Sequence, residues 1–251
     1  MTVVAVLADP PRPGLALPEL AASGPLTEGE AADLAAAMLQ DTLQAVRQSG
    51  GDLLVNFRPD DALPEQHRTD TAPEAEVRAL AAEALPDLDG VRFEPQVGST
   101  ADARAGNTVT HLLREEGADT VALVRPTAPL LARTTIDNAA MKLRRAPVVL
   151  GAAPDGRVHY VAFAEPIDFA GAFATPELAT LADRGADAGL DVAFLELLPV
   201  LERPDDLLTV LPLLEARRTA GRAVPERTVA VLDDLGLAVV EGDSGPELVR
   251  A

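Results

Sequence analysis

"VVAVLADPPRPGLALPEL", residues 3–20, carries the reading of the fold. Val3 to Ala8 form a short, continuous apolar run, which passes directly into a loop punctuated by Pro10, Pro11 and Pro13 with a single glycine, Gly14. An apolar run without alternation is the pattern of a strand buried on both faces, as in a parallel sheet covered by helices. A loop leaving the carboxyl end of such a strand is where phosphates are often held. This loop offers one cation, Arg12, beside Asp9 and Glu19.

The same kind of run recurs along the chain: "DLLVNF" (52–57), "VRFEP" (91–95), "TVALV" (120–124), "PVVLGA" (147–152), "VHYVAFA" (158–164) and "DVAFLEL" (191–197). Helical periodicity fills the intervals. Thr27 and Glu30 make a capping box ahead of "AADLAAAMLQDTLQAV", and residues 74–85, 100–116, 134–145, 175–189 and 204–220 follow suit. Thr175-Pro176 reads as a helix start with proline in the first helical position. This alternation predicts one α/β domain of three layers, α/β/α, around a mostly parallel sheet, with "VVAVLA" and "TVALV" as central neighbours.

Two places break the rhythm. Two strand candidates flank "APDG" within residues 147–164, leaving no room for a helix, so the chain there makes a hairpin-like excursion or a change of strand direction. After a body at 1–220, residues 221–251 read as an extension packed on it, a helix and then a hairpin around "GDSG". The polar stretch 58–73, "RPDDALPEQHRTDTAP", reads as a surface loop.

Composition narrows the function classes. The 47% hydrophobic content is that of a folded chain, so the net charge of -19 does not signal disorder. Carboxylates are scattered along the chain, and Lys142 is its single lysine. That pattern suits a cytoplasm of very high salt, where screening relieves self-repulsion. It also argues against nucleic acid, which requires a basic stripe or stacking aromatics; aromatics are 3%, and the tight cluster Lys142, Arg144 and Arg145 closes a predicted helix. No apolar run reaches the roughly 20 residues of a membrane helix, and no basic segment precedes the first apolar run, so a cytoplasmic location is expected. With no cysteine, disulfides, thiolate nucleophiles and cysteine–zinc sites are excluded.

The strong catalytic signatures are absent: no G-x-S-x-G, P-loop, G-x-G-x-x-G or H-E-x-x-H occurs. His67 and His111 read as ordinary histidines, whereas His159, beside the "PDG" turn, is a candidate ligand-binding residue. The "DLD" at 87–89 precedes a glycine and a strand and reads as a turn.

The segments taken in order resemble the glycosyltransferase A-like family related to arsenosugar-biosynthesis glycosyltransferases. "DPPRPGLALPEL" is similar to its K-x-P-x-P-G-x-x-K-T-R-L, keeping Pro11, Pro13, Gly14 and Leu20, and "MLQDTL" keeps its M-L-x-D-T-L through Asp41, Thr42 and Leu43. "PQVGSTADARAGN" resembles a glutamine- and glycine-led segment, supplying Gln96, Gly98 and Arg104. "VRPTAPLL" stands at its G-S-D-C-P turn with Pro129, and "APDGRVHY" at its D-G-G-Y-Y with Asp155 and Gly156. The stretch from "FATPEL" to "VLERPDDL" is similar to S-T-P-x-V-L through D-V-D-T-P-E-D-L, keeping Thr175, Pro176, Pro204, Asp206 and Leu207. The resemblance covers about residues 3–210 and implies the nucleotide-diphosphosugar transferase fold. It also implies a nucleotide-sugar or sugar-phosphate ligand, magnesium or manganese held by carboxylates, and a possible homo-oligomer. "RPTAPL" is similar as well to the Q-P-T-S-P-L turn of cytidylyl-sugar synthetases, which however carry a basic glycine-rich first loop.

The departures fall on charged positions. Asp9 stands for the first lysine, Leu17, Pro18 and Glu19 for K-T-R, Thr127 for the aspartate of G-S-D-C-P, Arg125 for its glycine, and Arg157 for the second glycine of D-G-G. Val200 and Glu202 stand for the two aspartates of D-V-D. The first loop thus keeps its shape residues and lacks the cations a diphosphate requires, and like charges there repel a phosphate. The resemblance implies Asp155 and Glu202 as catalytic, and Asp155, Glu202 and Asp206 as metal ligands, with the alternative of no metal. Arg12, Pro13, Gly14, Arg104, Arg125, Thr127, Gly156, His159 and Thr175 are the ligand-binding candidates, arginine replacing the lost lysine. The expected activity is transfer of a sugar or related group from a nucleotide-activated donor at an altered site; the alternative is non-catalytic binding on the same scaffold.

Overall fold

In a computed structural model describing residues 2–243 and 245–250, β1 (Thr2–Ala8) lies between β2 (Asp52–Phe57) and β4 (Thr120–Val124), parallel to both. β3 is Arg92–Pro95, β5 Val148–Ala152, β6 Val158–Phe163 and β7 Val192–Leu195, and the sheet runs in the order β3-β2-β1-β4-β6-β5-β7. β6 alone is antiparallel to its neighbours, β4 and β5. The "APDG" excursion is therefore a reversal of direction, made by a short turn over Pro154–Gly156 with Asp155 at φ 60° and Gly156 at φ 71°.

The helices are α1 (Pro18–Ser23), α2 (Glu28–Arg47), α3 (Pro73–Ala84), α4 (Ala101–Thr110), α5 (Arg133–Lys142), α6 (Glu177–Asp187), α7 (Pro204–Thr219) and α8 (Glu226–Asp234). Alternation along β1 builds the layers. Val4, Val6 and Ala8 pack with Leu39, Leu43 and Val46 of α2, Val77 of α3 and Ile136 of α5; Val3 and Ala5 pack with Ala105 and Val109 of α4 and Leu181 of α6. Each large aliphatic side chain so buried contributes about 1.5–3 kcal/mol before entropy is counted. The Thr27–Glu30 capping box forms as its spacing predicts.

Two boundaries differ from the pattern. Pro176 is the cap preceding α6, not its first helical residue, and the helix begins at Glu177. The periodicity over 100–116 is divided, α4 passing into a π-helical turn at His111–Glu115. The polar stretch 58–73 contains two single-turn helices, Asp60–Ala62 and Glu65–His67, and is tied to the first loop by Arg12.

A third cluster joins the last segment to the body: Leu20, Leu34, Met38, Leu207 and Val210 pack with Val229, Leu232 and Leu235. α8 has no side-chain cap of its own; Asp41 of α2 accepts from the Thr228 amide at 2.8 Å and the Thr228 hydroxyl at 2.8 Å. β8 (Leu237–Gly242) pairs antiparallel with β9 (Gly245–Arg250), and Arg250 bonds Glu30 of the capping box. Ser244, within the "GDSG" turn, lies outside the described residues.

Candidate ligand cavity and its carboxylate–arginine centre

The loops leaving β1 and β4 enclose a cavity of about 360 Å³. Its apolar wall comes from Leu15, Ala16, Met38 and Leu39, and its polar groups are Asp9, Glu19, Arg125, Thr127, Glu202 and Arg203. Gly14 holds the first loop in shape at φ 74°, a conformation that L side chains rarely adopt. Glu19 pairs with Arg203 (Oε2–Nε 3.1 Å), and Arg125 is drawn to Glu177 at the start of α6 and to the Val158 carbonyl.

Behind Glu202 lies the most fully bonded group of the site. Arg157, only 6% exposed, leaves the reversal turn and points at the first turn of α7. Its Nε donates to the Pro154 carbonyl (3.1 Å), Nη1 to Asp206 Oδ2 (2.8 Å) and Glu202 Oε2 (3.2 Å), and Nη2 to Asp206 Oδ1 (2.6 Å) and Asp155 Oδ2 (3.4 Å). A guanidinium has five donors, and all five are used. Asp206 also accepts from the Glu202 and Arg203 amides, both at 2.9 Å, and the Thr127 hydroxyl donates to Glu202 Oε1 (2.9 Å). Burial alone would raise the Asp206 carboxyl; the bonds from Arg157 and the two amides outweigh it and hold the group below its ordinary value.

The three residues named as metal ligands are thus brought to one place, around an arginine. Asp155 is peripheral, its side chain 69% exposed, whereas every carboxylate oxygen of Glu202 and Asp206 already accepts a hydrogen bond, three of the four from the Arg157 cation itself. That donor set does not fit a magnesium or manganese ion, which requires several free carboxylate oxygens.

The remaining candidates are distributed differently. Arg125, Thr127 and Glu202 line the cavity, and Pro13 and Thr175 are exposed outside its lining. Arg12 is turned away: it bonds Glu76, the His67 carbonyl (2.6 Å) and the Thr71 carbonyl (2.7 Å). Gly156 packs on Pro176, where an added Cβ would lie 2.8 Å from the proline ring. His159 is 1% exposed, with Nε2 3.3 Å from the Glu196 carbonyl and its ring over Gly151; desolvation lowers its pKa to about 4. Arg104 bonds Gln96 (2.8 Å) and lies in the field of Asp9, as does Arg58, whose Nη1 is 3.6 Å from Asp9. Desolvation in the recess raises the Asp9 carboxyl, against the pull of these two arginines.

Arg58 and Arg203 were not singled out from sequence, and Arg157 was noted only as a departure from the D-G-G pattern, not as a site candidate. For Arg157 a signal was present: an arginine opening a strand buried on both faces must find carboxylates.

A crystal structure of a provisionally assigned nucleotide-diphospho-sugar transferase from Desulfovibrio desulfuricans G20 superposes with a TM-score of 0.73 at 19% identity, covering 93% of this chain and 94% of that one. The fold is that of the nucleotide-diphosphosugar transferases. A 4-diphosphocytidyl-2C-methyl-D-erythritol synthase shares this nucleotide-diphosphosugar transferase fold at a TM-score of 0.50 and 15% identity, over 85% of this chain and 97% of that one. No protein-family model and no curated protein sequence matches the chain. Among the described residues, no helix of the transferase fold here is long and apolar enough to cross a membrane.

Proposed function

We propose that the chain is a glycosyltransferase-like protein that takes a nucleotide-activated sugar, or a related sugar phosphate, into the cavity between the β1 and β4 loops. The observation that carries this reading is the position of the cavity. It opens at the carboxyl ends of β1 and β4, where the order of successive strands reverses across the sheet, and such switch points are where open α/β sheets bind ligands. The wall of Leu15, Ala16, Met38 and Leu39 suits the flat face of a base or sugar. Arg125 at the cavity, with Arg58 and Arg104 beyond Asp9, supplies cations for phosphate in place of lysine.

A second reading, non-catalytic binding on the same fold, is favoured by the engagement of Glu202 and Asp206 with Thr127 and Arg157. Thermal melting with a panel of nucleoside diphosphates, nucleotide-sugars and sugar phosphates, in the presence of a chelator, tests both. Ligand at a hundredfold excess over Kd stabilises by roughly 2.7 kcal/mol, a shift of several degrees. Arg104→Ala and Arg58→Ala should diminish it. A panel without any shift rejects the binding site, and release of nucleoside diphosphate from the stabilising donor separates transferase from binder.

A further inference from the structure

We infer that Arg157 is a built-in replacement for a divalent cation: its guanidinium gathers the carboxylates that would otherwise require a metal, and the site is assembled without one. Asp155 belongs to the turn between β5 and β6, while Glu202 and Asp206 belong to the entry of α7, so the chain brings like charges together from two separate segments. Gathered carboxylates repel unless a positive charge lies among them. The charge present is covalently attached, buried, and bonded to all three, with a two-pronged contact on Asp206. Such a planar fork matches a carboxylate in a way an ammonium does not.

Three details separate replacement from coexistence. Asp206 Oδ2 accepts from the guanidinium and two backbone amides, and Oδ1 is taken by the second prong of the guanidinium. Thr127, on the β4 loop, presents a hydroxyl that donates to Glu202 instead of another carboxylate. The guanidinium lies between Glu202 and Asp206, so an ion could enter only by displacing an arginine that makes five hydrogen bonds. A tethered cation never dissociates, and the electrostatics of this side of the cavity then do not follow metal supply. The inference is independent of what the cavity binds.

The test is manganese binding to the purified chain after chelation, followed by calorimetry and by thermal melting, with no substrate present. The unmodified protein should melt at the same temperature in chelator and in excess manganese or magnesium, and give no saturable heat. Arg157→Gly removes the guanidinium, should melt lower by about 5 °C or more as the buried carboxylates lose their partner, and should recover part of that shift with manganese. Adding Asp206→Asn to it should abolish the recovery. Arg157→Lys keeps a tethered charge and should remain indifferent to manganese. Saturable manganese stabilisation of the unmodified protein that Asp206→Asn removes overturns the inference, as does an Arg157→Gly protein that melts unchanged. Should Arg157→Gly not fold alone, folding only with manganese supports the replacement, and manganese stabilisation of Arg157→Lys overturns it.

Discussion

Arg157 and Asp206 meet edge to edge, Nη2–Oδ1 at 2.6 Å and Nη1–Oδ2 at 2.8 Å, joining the reversal turn of the sheet to the first turn of α7. Truncating one partner of a buried pair leaves the other charge unpaired, which costs about 3–5 kcal/mol. Asp206→Ala should therefore lower stability by that order in urea unfolding, and Glu202→Gln by less, since Glu202 is more exposed and holds Arg157 through one bond. The pair also sets a pH response. The Asp206 carboxyl is held below its ordinary value, so its contribution is complete above the normal carboxylate range and is lost as pH falls through the depressed folded value. Acid unfolding of Asp206→Asn should show a shallower limb at the acid extreme.

His159 produces a sensitivity of the same sign, in a different window and from a different cause. Desolvation keeps its ring neutral down to about 4, and its Nδ1 has no hydrogen-bond partner among the described residues. The unfolded chain takes up a proton near 6.5, so between roughly 6.5 and 4 the unfolded state binds more protons and stability falls on acidification. The full effect is roughly 3 kcal/mol, from about 1.4 kcal/mol per unit of displaced pKa. Replacing the ring with an apolar one, His159→Phe, should flatten the stability profile in that window while leaving the more acid limb in place. An unchanged slope between those limits would show that the ring is protonated in the native state.

How much of this was legible in the sequence depended on whether the cause was local. β1 and β4 are short apolar runs with polar ends, and their pairing followed from the alternation of elements. The convergence of Asp155, Glu202 and Asp206 followed from motif order. The role of Arg157 did not, because a guanidinium's partners are decided by tertiary approach: Asp206 lies 49 residues away. Arg12 was misleading for the same reason. In a loop suited to phosphates it was the one cation, yet Glu76 and two carbonyls of the 58–73 segment use its donors.

That use of Arg12 makes a prediction of its own. With its side chain 6% exposed, Arg12 is the bolt between the first loop and the segment ahead of α3. Arg12→Ala removes charge-assisted bonds to Glu76 and leaves the His67 and Thr71 carbonyls without their donor, a loss of about 2–3 kcal/mol. The amides of residues 60–72 should exchange faster with deuterium, and protease cleavage should concentrate there. Exchange confined to other segments would mean that the 58–73 stretch is held by its own turns.

The surface charge gives the last prediction. A net charge of -19 on 251 residues is a self-repulsion that the folded state concentrates and the unfolded state relieves. Many of the arginines are already paired, including Arg47 with Asp87, Arg78 with Glu74, Arg133 with Asp137 and Arg218 with Asp233, so the excess carboxylates must rely on water and dissolved cations. Exposed pairs of this kind contribute only about 0–1 kcal/mol each and weaken as salt is added, whereas the screened repulsion weakens as well. The two effects oppose each other, and the imbalance of 40 acidic against 21 basic residues decides the sign. Because the Debye length shortens from about 10 Å at 0.1 M to about 3 Å at 1 M, most of the gain should arrive below molar salt. The melting temperature should rise steeply with potassium chloride at first and then flatten. The buried Arg157–Asp206 pair should contribute equally at both ends of the titration, so the difference between the unmodified protein and Asp206→Asn should stay constant with salt. Equal melting temperatures in dilute buffer and molar salt would remove salt adaptation as the reason for the acidic surface.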